Sequence, residues 1–269
     1  MKNRHLPAAV LVAGIITAAP ALAVKSSTRL GPPDFDKKET AATVSDWSYS
    51  GKKGPQQWGS LKDDYVMCSA GSNQSPVNLS NAADTVLPPL ELSYQTSQSS
   101  SETLRNNGNL LRVDFADGNT LQLDGITFTL QSLSLHTPAE HTIDGMTYPL
   151  ELQFQHQDDN GHIAVVSVLV KYGDASPELE KIRQQLPLPA GQQQALKTPL
   201  NIKQLLPNSQ LYYRYNGSLT TPPCSEGVRW MVLISPASAA EEQIRAIHDS
   251  SGHNSNRPLQ PLNARRILE

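Results

Sequence analysis

The sequence predicts a mainly β domain with a few surface helices. Two observations carry that prediction. Apolar and polar residues alternate at period two through most of the body, and only two stretches carry helix-start signals. In chain order, Ile126, Phe128 and Leu130 alternate with Thr127 and Thr129. Leu133 and Leu135 alternate with Ser132, Ser134 and His136, and Leu150, Leu152 and Phe154 with Glu151, Gln153 and Gln155. Residues 162–172 are nearly continuously apolar, as a central strand buried on both faces requires. Residues 227–234 form a further strand candidate. Ser176-Pro177 ahead of ELEKIRQQL supplies an N-cap and a proline at the first helical position. Ser238 with Glu241 reads as a capping box ahead of EEQIRAIH.

The flanks and the composition limit the rest. Residues 1–23 read as a secretory signal: Lys2 and Arg4 start it, a short apolar run follows, and Ala21-Leu22-Ala23 fits the cleavage pattern. Residues 24–42 are polar, contain Gly31-Pro32-Pro33 and read as a flexible leader. A single domain is expected over 43–269, with a polar loop at 95–102 and no membrane span after signal cleavage. The expected location is therefore periplasmic or secreted. The chain has 22 basic and 25 acidic residues with no patch of five or more like charges, which argues against a nucleic-acid partner. Cys68 and Cys224, the two cysteines, allow one internal disulfide. Export favours that bridge, and closing a loop of about 155 residues is worth on the order of 4–5 kcal/mol in the chain-entropy treatment.

Strand parity organises the polar residues. Ser132, Ser134 and His136 share one face, and Glu151, Gln153 and Gln155 share another. If these strands pair, their polar faces can line a cavity together. They can equally face solvent.

The segments WSYSGKKGPQQWG (47–59), GSNQSPVNL (71–79), NNGNLLRVDF (106–115), HTPAEHTIDGMTYPLEL (136–152), YRYNGSLTTPPCSEGVRW (213–230) and RPLQPLNAR (257–265) occur in order. In these the chain closely resembles the alpha class of carbonic anhydrases, from about Thr43 to Arg266. The resemblance implies a large, twisted, mostly antiparallel central sheet with a conical cleft. It also implies a zinc ion on three histidines, two at i and i+2 of one strand and one on its neighbour. Such a zinc lowers the pKa of its bound water to about 7, and the resulting hydroxide attacks carbon dioxide.

The sequence departs from that pattern at its centre. In the register set by TPAEH, His136 matches the second ligand, but Ser134 stands at the first and Gln153 at the third. Asn109 stands where the family carries a proton-shuttle histidine, and Ser132 where a glutamine orients the first ligand. No other histidine trio has suitable parity: His141 and His156 lie an odd step from His136 and Gln153 and match structural positions of the family. The resemblance assigns Thr220 to orienting the hydroxide, with Glu140 as its partner and Thr221 following. It assigns Glu151 to accepting a hydrogen bond from the third ligand, and a Gln153 amide can still donate to it. Val165, Leu219 and Trp230 match the apolar side of the pocket.

The expectation is an exported relative that is catalytically inactive, has no cofactor, and binds an unknown small molecule or protein. The alternatives are an active zinc enzyme for carbon dioxide hydration and a structural or storage scaffold.

Overall fold

The computed structural model describes residues 45–95, 102–116 and 118–269. The signal, the leader and most of the polar loop at 95–102 lie outside the described residues. In chain order the elements are α1 (Trp58–Leu61), α2 (Met67–Ala70), β1 (Asn78–Leu79), β2 (Glu91–Ser93), β3 (Thr103–Asn106), β4 (Leu111–Asp114), β5 (Thr120–Leu123) and β6 (Ile126–His136). There follow β7 (Thr142–Ile143), β8 (Met146–Thr147), β9 (Leu150–Gln157), β10 (Ile163–Tyr172), α3 (Pro177–Arg183) and β11 (Gln193–Ala195). The chain ends through β12 (Tyr212–Ser218), β13 (Glu226–Leu233), β14 (Ala237–Ala239) and α4 (Glu241–Ser251). Short 3₁₀ turns occupy Gly51–Lys53, Asp63–Tyr65 and Ile202–Leu205.

One eleven-stranded sheet dominates, in the order β11-β3-β4-β6-β9-β10-β13-β12, with β5 paired to β6 and β2, and β14 to β10. Pairing is mostly antiparallel. β10 is the exception, running parallel to both β13 and β14. A small sheet holds β1, β7 and β8.

The two alternating runs at 126–130 and 132–136 belong to one strand. Their apolar positions fall out of phase by one residue, and a bulge between Leu130 and Ser132 absorbs the difference. Phe128, Leu130, Leu133 and Leu135 consequently all enter the same core, with Leu152 and Phe154 from β9. β10 is buried on both faces, as its continuous apolar run requires. Ala164, Val166, Val168 and Val170 face that core, while Val165 and Leu169 face a second cluster with Trp230, Tyr215 and Leu219.

α3 begins as its sequence dictates: the Ser176 hydroxyl accepts from the Leu179 N–H at 3.3 Å, and Pro177 opens the helix. α4 does not begin at a Ser238 cap. Ser238 pairs with Lys171 inside β14, so the helix can start only after Ala240. The glutamine half of a box survives in Gln243, whose Oε1 accepts from the Ala240 N–H at 3.2 Å. The same side chain receives the Ser176 N–H and donates to the Ser176 carbonyl, tying the starts of α3 and α4 together.

Cys68 and Cys224 are bonded across 156 residues. The bridge fastens the segment after β12 to α2, and Gln74 donates to the Cys224 carbonyl beside it. Reducing it, or making Cys68→Ala with Cys224→Ala, is expected to lower stability by about 2–5 kcal/mol. Urea unfolding with and without reductant measures this, and coincident midpoints would refute it.

His156 is fully buried, with its Nε2 2.7 Å from the Tyr94 hydroxyl. Burial pushes its pKa down to about 4. Below about pH 6.5 the unfolded chain takes up a proton that the folded chain refuses until about pH 4. Stability therefore falls through that window as pH drops, by about 3 kcal/mol from this group. The urea midpoint should decline from pH 7 to 4, and His156→Gln should flatten that slope.

Candidate functional site

Cross-strand partners share a face, so the sheet register places the polar residues directly. On the side opposite the leucine core, Asp114, Ser132, Gln155 and Val165 form one row across β4, β6, β9 and β10. Arg112, Ser134, Gln153 and Ser167 form the next. His136, Glu151 and Leu169 form a third.

A cavity of about 80 Å³ opens over these rows. Arg112, Ser134, His136, Gln153 and Gln155 form its polar wall, and Val165, Leu219 and Trp230 its apolar side. Thr220 and Thr221 descend from the loop after β12, and Trp47, Asn107 and Leu110 complete the lining. The Trp230 indole donates to the Ser218 carbonyl at 3.0 Å and holds the start of that loop.

Beneath the wall lies a buried polar network centred on Glu151. Its Oε2 accepts from the backbone N–H groups of Glu140 and His141, both at 2.8 Å. Its Oε1 lies 2.8 Å from His141 Nδ1 and accepts from Gln153 Nε2 at 3.0 Å and Ser167 Oγ at 2.7 Å. Burial alone would push this carboxyl up. The adjoining His141 and the converging donors win, and its pKa settles at about 2. His141 continues the chain through Nε2, 2.6 Å from the Tyr215 hydroxyl, which reaches Ser75 Oγ at 2.9 Å.

Gln153 spends both amide hydrogens on carboxylates, one on Glu151 and one on Glu140 Oε2 at 2.8 Å. Glu140 Oε1 accepts from the Arg257 N–H at 2.9 Å. His136 Nδ1 lies 2.6 Å from the Ser255 carbonyl. A carbonyl only accepts, so Nδ1 carries a proton, and in the neutral ring the lone pair is on Nε2.

The sequence matches the family described as eukaryotic-type carbonic anhydrase over residues 53–269. That span is most of the chain and decides the matter. The chain belongs to the carbonic anhydrase family. A carbonic anhydrase of Pectobacterium carotovorum is 43% identical over 222 residues, covering 82% of this chain and 90% of that protein. The alpha-carbonic anhydrase from Thermovibrio ammonificans, solved with the inhibitor sulfanilamide, superposes with a TM-score of 0.79 at 41% identity, over 83% of this chain and 98% of the other. A dioscorin solved with ascorbate superposes at 0.77 and 30% identity, over 82% and 96%.

Within this carbonic anhydrase fold, Ser134, His136, Gln153, Val165, Leu219, Thr220, Thr221 and Trp230 meet at the cavity. Glu140 and Glu151 lie below it, fully screened from solvent. Asn109 is off the wall, its amide donating to Ser45 Oγ and the Trp47 carbonyl. The expected pairing of Thr220 with Glu140 is not made among the described residues; Glu140 accepts from Gln153 and the Arg257 N–H instead. Arg112, Trp47, Asn107 and Leu110 were not anticipated at the cavity. For Arg112 the signal lies in its match to Ser134 across β4 and β6, a pairing that no local pattern encodes.

Glu151→Gln preserves shape but replaces an acceptor-only group by one that presents an N–H to surrounding donors. The expected cost is about 2–5 kcal/mol in urea unfolding, because at least one buried donor loses its acceptor. A loss below about 1 kcal/mol would show that the network rearranges freely.

Proposed function

We propose that this protein is an exported, non-catalytic carbonic anhydrase homologue whose cavity binds a small molecule. The observation that carries the reading is Gln153: it occupies the third ligand position and its nitrogen is committed to two carboxylates.

The donor set does not fit zinc. His136 Nε2 is a good ligand, whereas Ser134 offers a neutral hydroxyl and Gln153 only an amide oxygen. Structural zinc binding is worth roughly 10–16 kcal/mol over about four ligands. Losing two imidazoles therefore costs on the order of 6 kcal/mol, or about four decades in affinity. Among the described residues, no three His, Cys, Asp or Glu side chains cluster to replace them. Water with a pKa near 15.7 rather than about 7 yields roughly nine decades less hydroxide. General-base assistance of about 10²–10⁴ does not recover that.

Export is supported by the character of residues 1–23. No helix among the described residues is long and apolar enough to cross a membrane. Ligand binding is supported by the dioscorin relative, solved in complex with ascorbate. The competing reading, a zinc enzyme hydrating carbon dioxide, is favoured by the 43% identity to a protein named carbonic anhydrase.

Stopped-flow carbon dioxide hydration on the purified protein, with and without added zinc, separates the two. The expected rate equals the buffer blank in both cases, with no bound zinc by elemental analysis and no sulfanilamide binding. Zinc-dependent turnover would overturn the proposal. Ser134→His combined with Gln153→His is expected to restore zinc binding, because Glu151 remains to accept from a third-ligand imidazole. A folded double variant that stays metal-free would mean that the cavity has changed more than its ligands.

A further inference from the structure

We infer that the cavity takes a small carboxylate bearing a hydroxyl group, its anionic end on Arg112 at the rim and its hydroxyl donating to one of the two floor acceptors, Gln153 Oε1 or His136 Nε2. This rests on the non-catalytic, ligand-binding reading and adds the chemical class of the ligand.

The rim is cationic. Arg112 Nε bonds Asp114 Oδ1 at 2.6 Å, and Arg105 Nε reaches the other oxygen of the same carboxylate at 3.2 Å. Two guanidinium groups therefore share one carboxylate, and a positive charge remains beside the opening. The terminal Nη groups of Arg112 donate to no protein group among the described residues. They form the flat fork that matches a carboxylate. Ser134, directly across from Arg112 in the register, adds a hydroxyl donor at the same level.

The floor is the reverse. Gln153 turns its Nε2 down onto Glu140 and Glu151, and a carbonyl oxygen could not face those two carboxylates. Its Oε1 is thereby left as an acceptor with no protein donor among the described residues. His136 Nε2 is a second acceptor, since Nδ1–H is spent on the Ser255 carbonyl. Two acceptors above two buried carboxylates repel an anion and call for an O–H donor. Charge and hydrogen bonding thus orient the ligand, anion outward and hydroxyl inward. The volume of about 80 Å³ has room for roughly five waters, which matches a molecule of few non-hydrogen atoms.

Glycolate tests this, with acetate lacking the hydroxyl and ethylene glycol lacking the charge. NMR titration of the purified protein should follow the Gln153 side-chain amide and the Arg112 guanidinium. Glycolate is expected to shift both saturably, acetate to bind at least about tenfold more weakly (about 1.4 kcal/mol), and ethylene glycol not to saturate. Arg112→Gln should weaken glycolate at least about tenfold and Arg112→Lys recover part of that. Ser134→Ala should weaken it less, and keeps the test open if the Arg112 variants fail to fold. Equal affinity for glycolate and acetate, unchanged binding by Arg112→Gln, or no saturable shift would each overturn the inference. Bound zinc with hydration activity would instead overturn the reading beneath it. A metal-free, inactive protein that ignores glycolate leaves that reading standing and removes only this one.

Discussion

Keeping the Glu151 carboxylate ionised without water requires donors from every side, and that requirement fixes much of the surrounding structure. The donors come from the turn after β6, from β9 and from β10, so one side chain joins three neighbouring segments of the sheet. The Gln153 amide is one of them. In an active member of the family, by the resemblance, an imidazole at this position would serve both the carboxylate and the metal. Here the amide serves Glu151 and then, with its second hydrogen, Glu140. The position needs an N–H whatever else it does, because a buried acceptor without a donor is costly. This is a physical reason for glutamine rather than an aliphatic residue at Gln153.

The same amide alters the rest of the site. It donates to Glu140, the residue that the family resemblance pairs with Thr220, and it turns its own oxygen toward the cavity. The oxygen of Gln153 thus belongs to the floor of the cavity, while its nitrogen belongs to the network beneath. The apolar side is unaltered in kind: Val165, Leu219 and Trp230 still pack against Tyr215 in the second cluster. The pocket keeps its shape from those contacts and takes its chemistry from the strands opposite.

Much of this was legible in the sequence, and the gaps have physical causes. Parity along 132–136 and 151–155 placed three polar residues on one face of each strand, because the side-chain period of a strand is fixed by its backbone; that the two sets share a wall came from the pairing of β6 with β9. Ser176-Pro177 marked the start of α3, because capping is local. The start of α4 was misplaced because Ser238 is drawn into the sheet by β10, a partner more than sixty residues away. Arg112 was missed for the same reason: its neighbour Ser134 is fixed by strand pairing and not by spacing. The double use of the Gln153 amide, on Glu140 and Glu151, depended on where a glutamine side chain would place its two hydrogens, which residue identity alone does not state.

The bulge in β6 divides that strand into two reading frames. Ahead of it, even-numbered positions enter the core; behind it, odd-numbered ones do. The cavity wall belongs wholly to the second frame. Gln131 is the extra residue that the bulge takes up: a regular ladder that kept it would turn Ser132, Ser134 and His136 into the leucine core and Leu133 and Leu135 onto the cavity. Deleting it would instead leave the two frames in step and every side chain on its present face. The polarity of the pocket is set by that bulge as much as by the side chains that line it.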